Sequence, residues 1–171
     1  MFSRSDLQVR WFWIIVLALA LLAIEMTIVS RVRSFGGGPD LVLLFVIFLS
    51  LYGPMDDAPL SGWLLGLAKD SLTDGTFGLY AVLFMALGFF LSRIRADIFL
   101  EYNISHVANA AVSTLLIYVA VAVWHSTQGL PVLSMLPVVV GVSIWNALLA
   151  PGAFYVFFRF SRLLDAARRP G

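Results

Sequence analysis

The chain has 171 residues, of which 61% are hydrophobic and only 12% are charged, and its formal net charge at pH 7 is +1. A soluble domain is nearer to half apolar and a quarter charged, so this composition excludes an ordinary water-soluble domain and favours lipid as the solvent. The near-neutral charge and the lack of a basic stripe argue against nucleic acid as a partner. The absence of cysteine excludes disulfides and thiolate metal sites.

Six apolar runs in chain order predict an all-α bundle of about six transmembrane helices. The first run, Trp11 to Val29, is long enough to cross roughly 30 Å of hydrocarbon, and it is too long for the core of a cleaved signal peptide. The second and third runs, residues 41–52 and 60–72, are short, so they form either two short spans or a re-entrant hairpin. The last three runs cover residues 77–92, 104–124 and 135–158.

The segments between the runs carry turn and boundary signals. Pro39 and Asp40 are typical of the first turn of a helix, because proline needs no donor there and a carboxylate suits the helix N-terminus. Turns are predicted at residues 53–59 and 74–76, and a helix lying along the membrane interface is predicted at the charged connector 93–101. Pro151 and Gly152 predict a kink in the last helix.

The charges of the connecting segments predict a multi-pass membrane protein with both termini in the cytoplasm. With six spans, one side of the membrane carries eight basic residues, whereas the other carries Arg31 and Arg33, with Lys69 near a helix end. No loop is long enough to fold separately, so residues 1–171 form a single integral membrane domain with short cytoplasmic tails at 1–10 and 159–171. The eight basic residues are Arg4, Arg10, Arg93, Arg95, Arg159, Arg162, Arg168 and Arg169.

Gly62, Gly66 and Asp70 are spaced four residues apart and therefore share one helix face. Two glycines at this spacing allow another helix backbone to approach closely. Three interpretations remain open: tight packing within the chain, contact with a partner protein, or the wall of a ligand cavity. For Asp70 we favour a structural hydrogen-bonding role, such as capping the helix after the 74–76 turn, over proton or ion handling.

Other polar residues inside the apolar runs suggest weaker hypotheses. Glu25 is expected to pair with Arg31 or Arg33, or to reach the interface by itself. His106, Asn109 and Ser113 share a helix face and are expected either to join helices or to contact a ligand. No catalytic triad, metal-ligand spacing or phosphate-binding glycine loop is found, so the sequence predicts no catalytic residue, no metal and no cofactor.

The segment from Leu60 to Arg95 resembles the rod-shape-determining protein MreD family. The resemblance rests on the Gly62, Gly66, Asp70 spacing followed by a turn and by Gly78–Leu79 at the next span, and on Pro39–Asp40–Leu41 at the second span. Lys69 departs from the family pattern, because it is more polar than expected at that position.

The resemblance implies a non-enzymatic inner-membrane scaffold of the cell-wall elongation complex. MreD-like proteins associate with the bitopic protein MreC, and through the complex with the MreB filament, the glycosyltransferase RodA and a penicillin-binding transpeptidase. Their fold is thought to be similar to the S components of energy-coupling-factor transporters. The alternative function is a small-molecule (vitamin-like) binding subunit of a membrane transporter, and homo-oligomers are left open.

Overall fold

The protein is seen in a computed structural model that describes residues 4–29, 37–73, 77–95 and 103–167. Over these residues it is all-helical and contains no β-strand, which confirms the predicted all-α class. The six helices coincide with the six apolar runs. They are α1 (Arg4–Ile24), α2 (Leu41–Tyr52), α3 (Ala58–Asp70), α4 (Leu79–Ile94), α5 (Asn103–Thr127) and α6 (Val132–Ala167).

Helices α5 and α6 contain the two stretches in the described part of the chain that are long and apolar enough to cross a membrane. These are Ile104–Thr127 and Val132–Arg162, and three shorter apolar helical stretches cover Ile14–Thr27, Leu41–Tyr52 and Leu79–Ile94. Large apolar side chains on α5 and α6 point outward, with Leu116, Leu133 and Leu148 each more than 60% exposed. An outer surface of this kind fits a lipid environment.

Helix α2 is surrounded by the other helices. All residues from Val42 to Phe48 are buried, and α2 contacts each of α1, α3, α4, α5 and α6. A helix that is apolar on every side is stable only when protein or lipid covers it completely. At 12 residues α2 is about 18 Å long. The surrounding helices explain how so short an apolar helix is accommodated. Two short spans and a re-entrant hairpin both stay predictions for residues 40–73.

The connection from α2 to α3 is the tight turn that glycine and proline predict. Gly53 donates its backbone N–H to the carbonyl of Leu49 and ends α2. A single 3₁₀ turn (Met55–Asp57) then leads into α3, which has Pro59 in its first turn. Arg95, at the end of α4, donates a hydrogen bond to the Gly53 carbonyl and ties this turn to α4.

Helix α6 runs without interruption from Val132 through Pro137 and Pro151 to Ala167, so the predicted kink stays a prediction. The segments expected as tails are partly helical, because α1 begins at Arg4 and α6 extends beyond residue 159. Several predicted features lie outside the described residues. They are the turn at 74–76, the interfacial helix around Asp97 and Glu101, and the basic residues Arg31, Arg33, Arg168 and Arg169.

Candidate functional site

Three charged side chains from three consecutive helical segments meet inside the bundle, and we call them the buried charge cluster (Glu25, Asp40 and Lys69). Glu25 begins a single π-helical turn (Glu25–Val29) that continues α1, Asp40 is the N-cap of α2, and Lys69 lies in the last turn of α3. The Lys69 ammonium forms ion pairs with Asp40 Oδ2 and, at 3.1 Å, with Glu25 Oε1. Asp40 and Lys69 are 1% and 6% exposed.

Asp40 connects α2 to both of the long helices. Its Oδ1 accepts the backbone N–H of Leu43 at 2.9 Å, and its Oδ2 accepts the Tyr118 hydroxyl of α5 at 2.9 Å. Its backbone N–H donates to Asn146 Oδ1 of α6 at 2.8 Å, and Asn146 Nδ2 donates to Thr114 Oγ1 of α5 at 3.0 Å. The polar groups of Asp40 are therefore satisfied by four different helices, counting the Lys69 contact from α3.

The partners of Lys69 in the buried charge cluster offset the free-energy cost of burying its charge. An ammonium group in a low-dielectric interior is stable only when opposite charge and hydrogen bonds replace its water. Lys69 has two carboxylates as partners, and its Nζ also lies 5.2 Å from the ring centroid of Tyr80 and 5.9 Å from that of Phe84. Aromatic faces attract a cation at such distances.

This cluster was not predicted from the sequence. Glu25 was expected to pair with Arg31 or Arg33, whereas the structure pairs it with Lys69, and the two arginines lie outside the described residues. In the sequence, Lys69 stands out as a basic residue near a helix end and as a departure from the family pattern, and neither feature indicates its partner. The sequence does contain a signal for the cluster. Glu25 lies near the end of the first apolar run, Asp40 just before the second and Lys69 near the end of the third. In an up-and-down topology these three positions lie on the same side of the bundle.

Asp70, the next residue, has a separate structural role. Its Oδ1 and Oδ2 accept the backbone N–H groups of Tyr80 and Ala81 at 3.0 and 2.9 Å. These N–H groups belong to the first turn of α4 and have no partner within the helix. Gly78, the N-cap residue, has a φ of +98° and no side chain to supply a cap, so Asp70 caps α4 from the end of α3.

Gly62 and Gly66 face α4 of the same chain. A Cβ atom at Gly62 would collide with the Phe84 carbonyl oxygen, and one at Gly66 would collide with the Ala81 backbone. On α4, a Cβ atom at Gly88 would lie 2.5 Å from the Ala58 carbonyl oxygen. Of the three interpretations left open, the geometry supports backbone packing within the chain. A partner helix cannot also occupy this face.

His106, Asn109 and Ser113 do not form one site. His106 Nδ1 lies 3.2 Å from the Tyr52 hydroxyl, and its ring centroid is 5.2 Å from that of Phe154. Asn109 donates to the Ser105 carbonyl of its own helix at 2.8 Å, and Ser113 is 2% exposed. The three residues do not line the cavity that borders the buried charge cluster.

A cavity of about 500 Å³ adjoins the buried charge cluster. It is lined by residues near the ends of α1 and α3 and near the starts of α2 and α4, and by side chains that lie part-way along α5 and α6. Its wall combines charged, hydroxyl and apolar groups. The lining residues are Glu25, Gly37, Gly38, Pro39, Lys69, Thr73, Tyr80, Tyr118, Val138 and Val142. The described residues contain no group of three or more His, Cys, Asp or Glu side chains placed to hold a metal ion.

Comparison with known proteins identifies the family. The family model for the rod shape-determining protein MreD matches residues 5–164, which is nearly the whole chain. The chain belongs to the MreD family. The resemblance found in residues 39–95 is thereby confirmed, and with it a role in determining rod shape. No curated protein and no solved structure matches the chain, so the similarity to transporter S components stays a prediction.

The motifs by which the sequence resembles the MreD family have clear positions in the fold. Pro39 borders the cavity and Asp40 begins α2 within the buried charge cluster. Gly62 and Gly66 allow α3 to approach α4, and Asp70 caps α4. In this MreD-family member, the motif residues therefore hold the short helices α2, α3 and α4 in place.

Proposed function

We propose that this MreD-family protein is a non-enzymatic scaffold of the bacterial inner membrane, which binds MreC and thereby helps the elongation complex to maintain rod shape. The match of the MreD family model to residues 5–164 carries this proposal. Through MreC, the protein would associate with MreB, RodA and the penicillin-binding transpeptidase. Multiple crossings with both termini in the cytoplasm are part of the proposal.

The distribution of polar groups supports a scaffold. Asp40, Asp70, Lys69 and Asn146 are buried, and each bonds to other parts of the same chain. Such contacts fix the arrangement of the helices. Meanwhile the outward-facing side chains are mostly apolar, which suits lateral contact with lipid and with another transmembrane helix.

The partner helix would use an outward face of the bundle, since α4 already covers the Gly62–Gly66 face. Candidate positions lie on three helices that have exposed apolar side chains. Leu19 on α1 is 59% exposed, Phe90 on α4 is 63% exposed and Leu148 on α6 is 70% exposed. These three positions sample different parts of the bundle surface.

Photocrosslinking in living rod-shaped cells tests the proposal. A photoreactive amino acid is placed at Leu19, Phe90 or Leu148 in a chain that replaces the native MreD, and the adducts are identified by mass spectrometry. We expect an adduct with the single transmembrane helix of MreC from at least one position. Val46, which is fully buried in α2, is the matched control and should give no adduct with another protein.

Two results would contradict the proposal. In the first, cells that depend on this chain keep their rod shape, but none of the three outward positions crosslinks to MreC. The other is turnover of a cell-wall precursor by the purified protein, since this would replace the scaffold with an enzyme.

A further inference from the structure

In the described part of the chain, the cavity and the buried charge cluster beside it together carry two carboxylates and one ammonium. Glu25 and Asp40 are paired with a single ammonium, that of Lys69. Both oxygens of Asp40 and both oxygens of Glu25 accept a hydrogen bond or an ion pair, but Asp40 is 1% exposed, whereas the Glu25 side chain is 18% exposed and lines the cavity. Because Glu25 shares Lys69 with Asp40, the three side chains together keep one negative charge, and Glu25 is the carboxylate that a ligand in the cavity can reach. Glu25 is therefore the group through which the cavity would attract an additional cation.

The groups that could attract an anion are already bound to carboxylates of this chain. The first turn of α2 donates the N–H of Val42 to Glu25 at 3.3 Å and that of Leu43 to Asp40. The first turn of α4 donates two N–H groups to Asp70. Among the residues that the structure describes, Lys69 is the cation on the cavity wall, and it too is engaged. The wall thus favours a cation over a phosphate or a carboxylate.

The size and lining of the cavity favour an organic cation over a metal ion. A volume of about 500 Å³ lies in the range of small-molecule sites and is far larger than a dehydrated metal ion requires. Tyr80 and Tyr118 supply aromatic groups, and Val138 and Val142 supply an apolar wall. Aromatic faces and a carboxylate together are a usual environment for an ammonium group.

We propose that this cavity binds an ammonium group carried on a partly apolar molecule, with Glu25 as the counter-ion. The source is either a free amine or the amine headgroup of a phosphatidylethanolamine lipid, since both have the same chemistry at the charged end. The site would make the scaffold sensitive to a ligand held between the short helices and the two long helices, α5 and α6. This inference goes beyond the proposed scaffold and does not depend on MreC.

Calorimetric titration tests the site in the full chain. The protein is placed in phosphatidylglycerol nanodiscs, which contain no amine, and is titrated with phenethylammonium or with phenethyl alcohol, which has a similar body and no charge. We expect saturable binding of the amine and binding of the alcohol that is weaker by about tenfold or more. Glu25→Gln should weaken amine binding by a similar factor. Val138→Phe should do so by filling the cavity without changing its charge.

The source of the ammonium is decided by repeating the titration in phosphatidylethanolamine nanodiscs. A weaker apparent affinity there indicates that the lipid headgroup competes for the site, whereas an unchanged affinity indicates that a free amine is the ligand. Three results would overturn the proposal. They are no saturable binding to the wild-type chain in phosphatidylglycerol, equal affinity in a folded Glu25→Gln variant, and binding seen only after Arg31 and Arg33 are replaced by alanine.

Discussion

Replacing Lys69 with methionine would test whether the buried charge cluster stabilises the fold. Methionine keeps an unbranched apolar side chain of similar length but removes the charge that Asp40 and Glu25 share. Removing one partner of a buried ion pair costs about 3–5 kcal/mol, because the remaining charge is left without compensation. Asp40 would keep its hydrogen bonds from Leu43 and Tyr118, and Glu25 is partly exposed. We therefore expect a loss near the lower end, about 3 kcal/mol of unfolding free energy.

A double-mutant cycle separates the ion pair from general damage to the core. Asp40→Asn alone removes the charge that lies closest to Lys69 and should also destabilise the protein. The double variant Lys69→Met/Asp40→Asn removes both charges of this ion pair, so neither one is left buried without the other. Its loss should therefore be smaller than the sum of the two single losses by about 1–3 kcal/mol.

The measurement is reversible unfolding of the purified protein in mixed micelles by added sodium dodecyl sulfate, followed by tryptophan fluorescence. Arg93→Met is the matched control, because it removes a basic side chain that is exposed at the end of α4. The Arg93 guanidinium lies 5.0 Å from the ring centroid of Phe89 at an exposed position, so this variant should lose no more than about 1 kcal/mol of unfolding free energy. If Lys69→Met resembles this control, or if the effects of the two single variants simply add, the buried ion pair does not stabilise the fold.

Two further predictions use the same unfolding measurement. Gly66→Ala places a methyl group against the Ala81 backbone and should cost about 1–3 kcal/mol, whereas Gly152→Ala, with no heavy atom within 4 Å, should not destabilise α6. Equal behaviour of the two alanine variants would contradict the close approach of α3 and α4. Asp70→Ala leaves two N–H groups at the start of α4 without their acceptor and should cost about 1–3 kcal/mol. A stability equal to that of the wild type would show that the side chain does not cap α4.

Much of the local structure follows from short stretches of sequence. The second apolar run, residues 41–52, coincides with α2, and Pro39 and Asp40 precede its first turn as their chemistry predicts. The capping role suggested for Asp70 agrees with the hydrogen bonds to α4. These features depend on hydrogen-bonding groups and apolar periodicity within a few residues, which can be read directly from the chain.

The spacing of Gly62 and Gly66 does not by itself identify the helix that packs against them. Two glycines four residues apart indicate that the backbone of another helix approaches closely, but they do not indicate which helix it is. In the structure it is the backbone of α4, the helix that follows in the chain. The polar face of His106, Asn109 and Ser113 is a similar case, because a shared helix face does not require a shared partner.

An apolar, helical chain of the MreD family is evident from composition, hydrophobic periodicity and motifs, because these are properties of short stretches of residues. The meeting of Glu25, Asp40 and Lys69, and the cavity beside them, become visible only in the folded chain. A buried charge requires an opposite charge nearby, but several residues along the chain could have supplied it. The packing of α1, α2 and α3 selects among them.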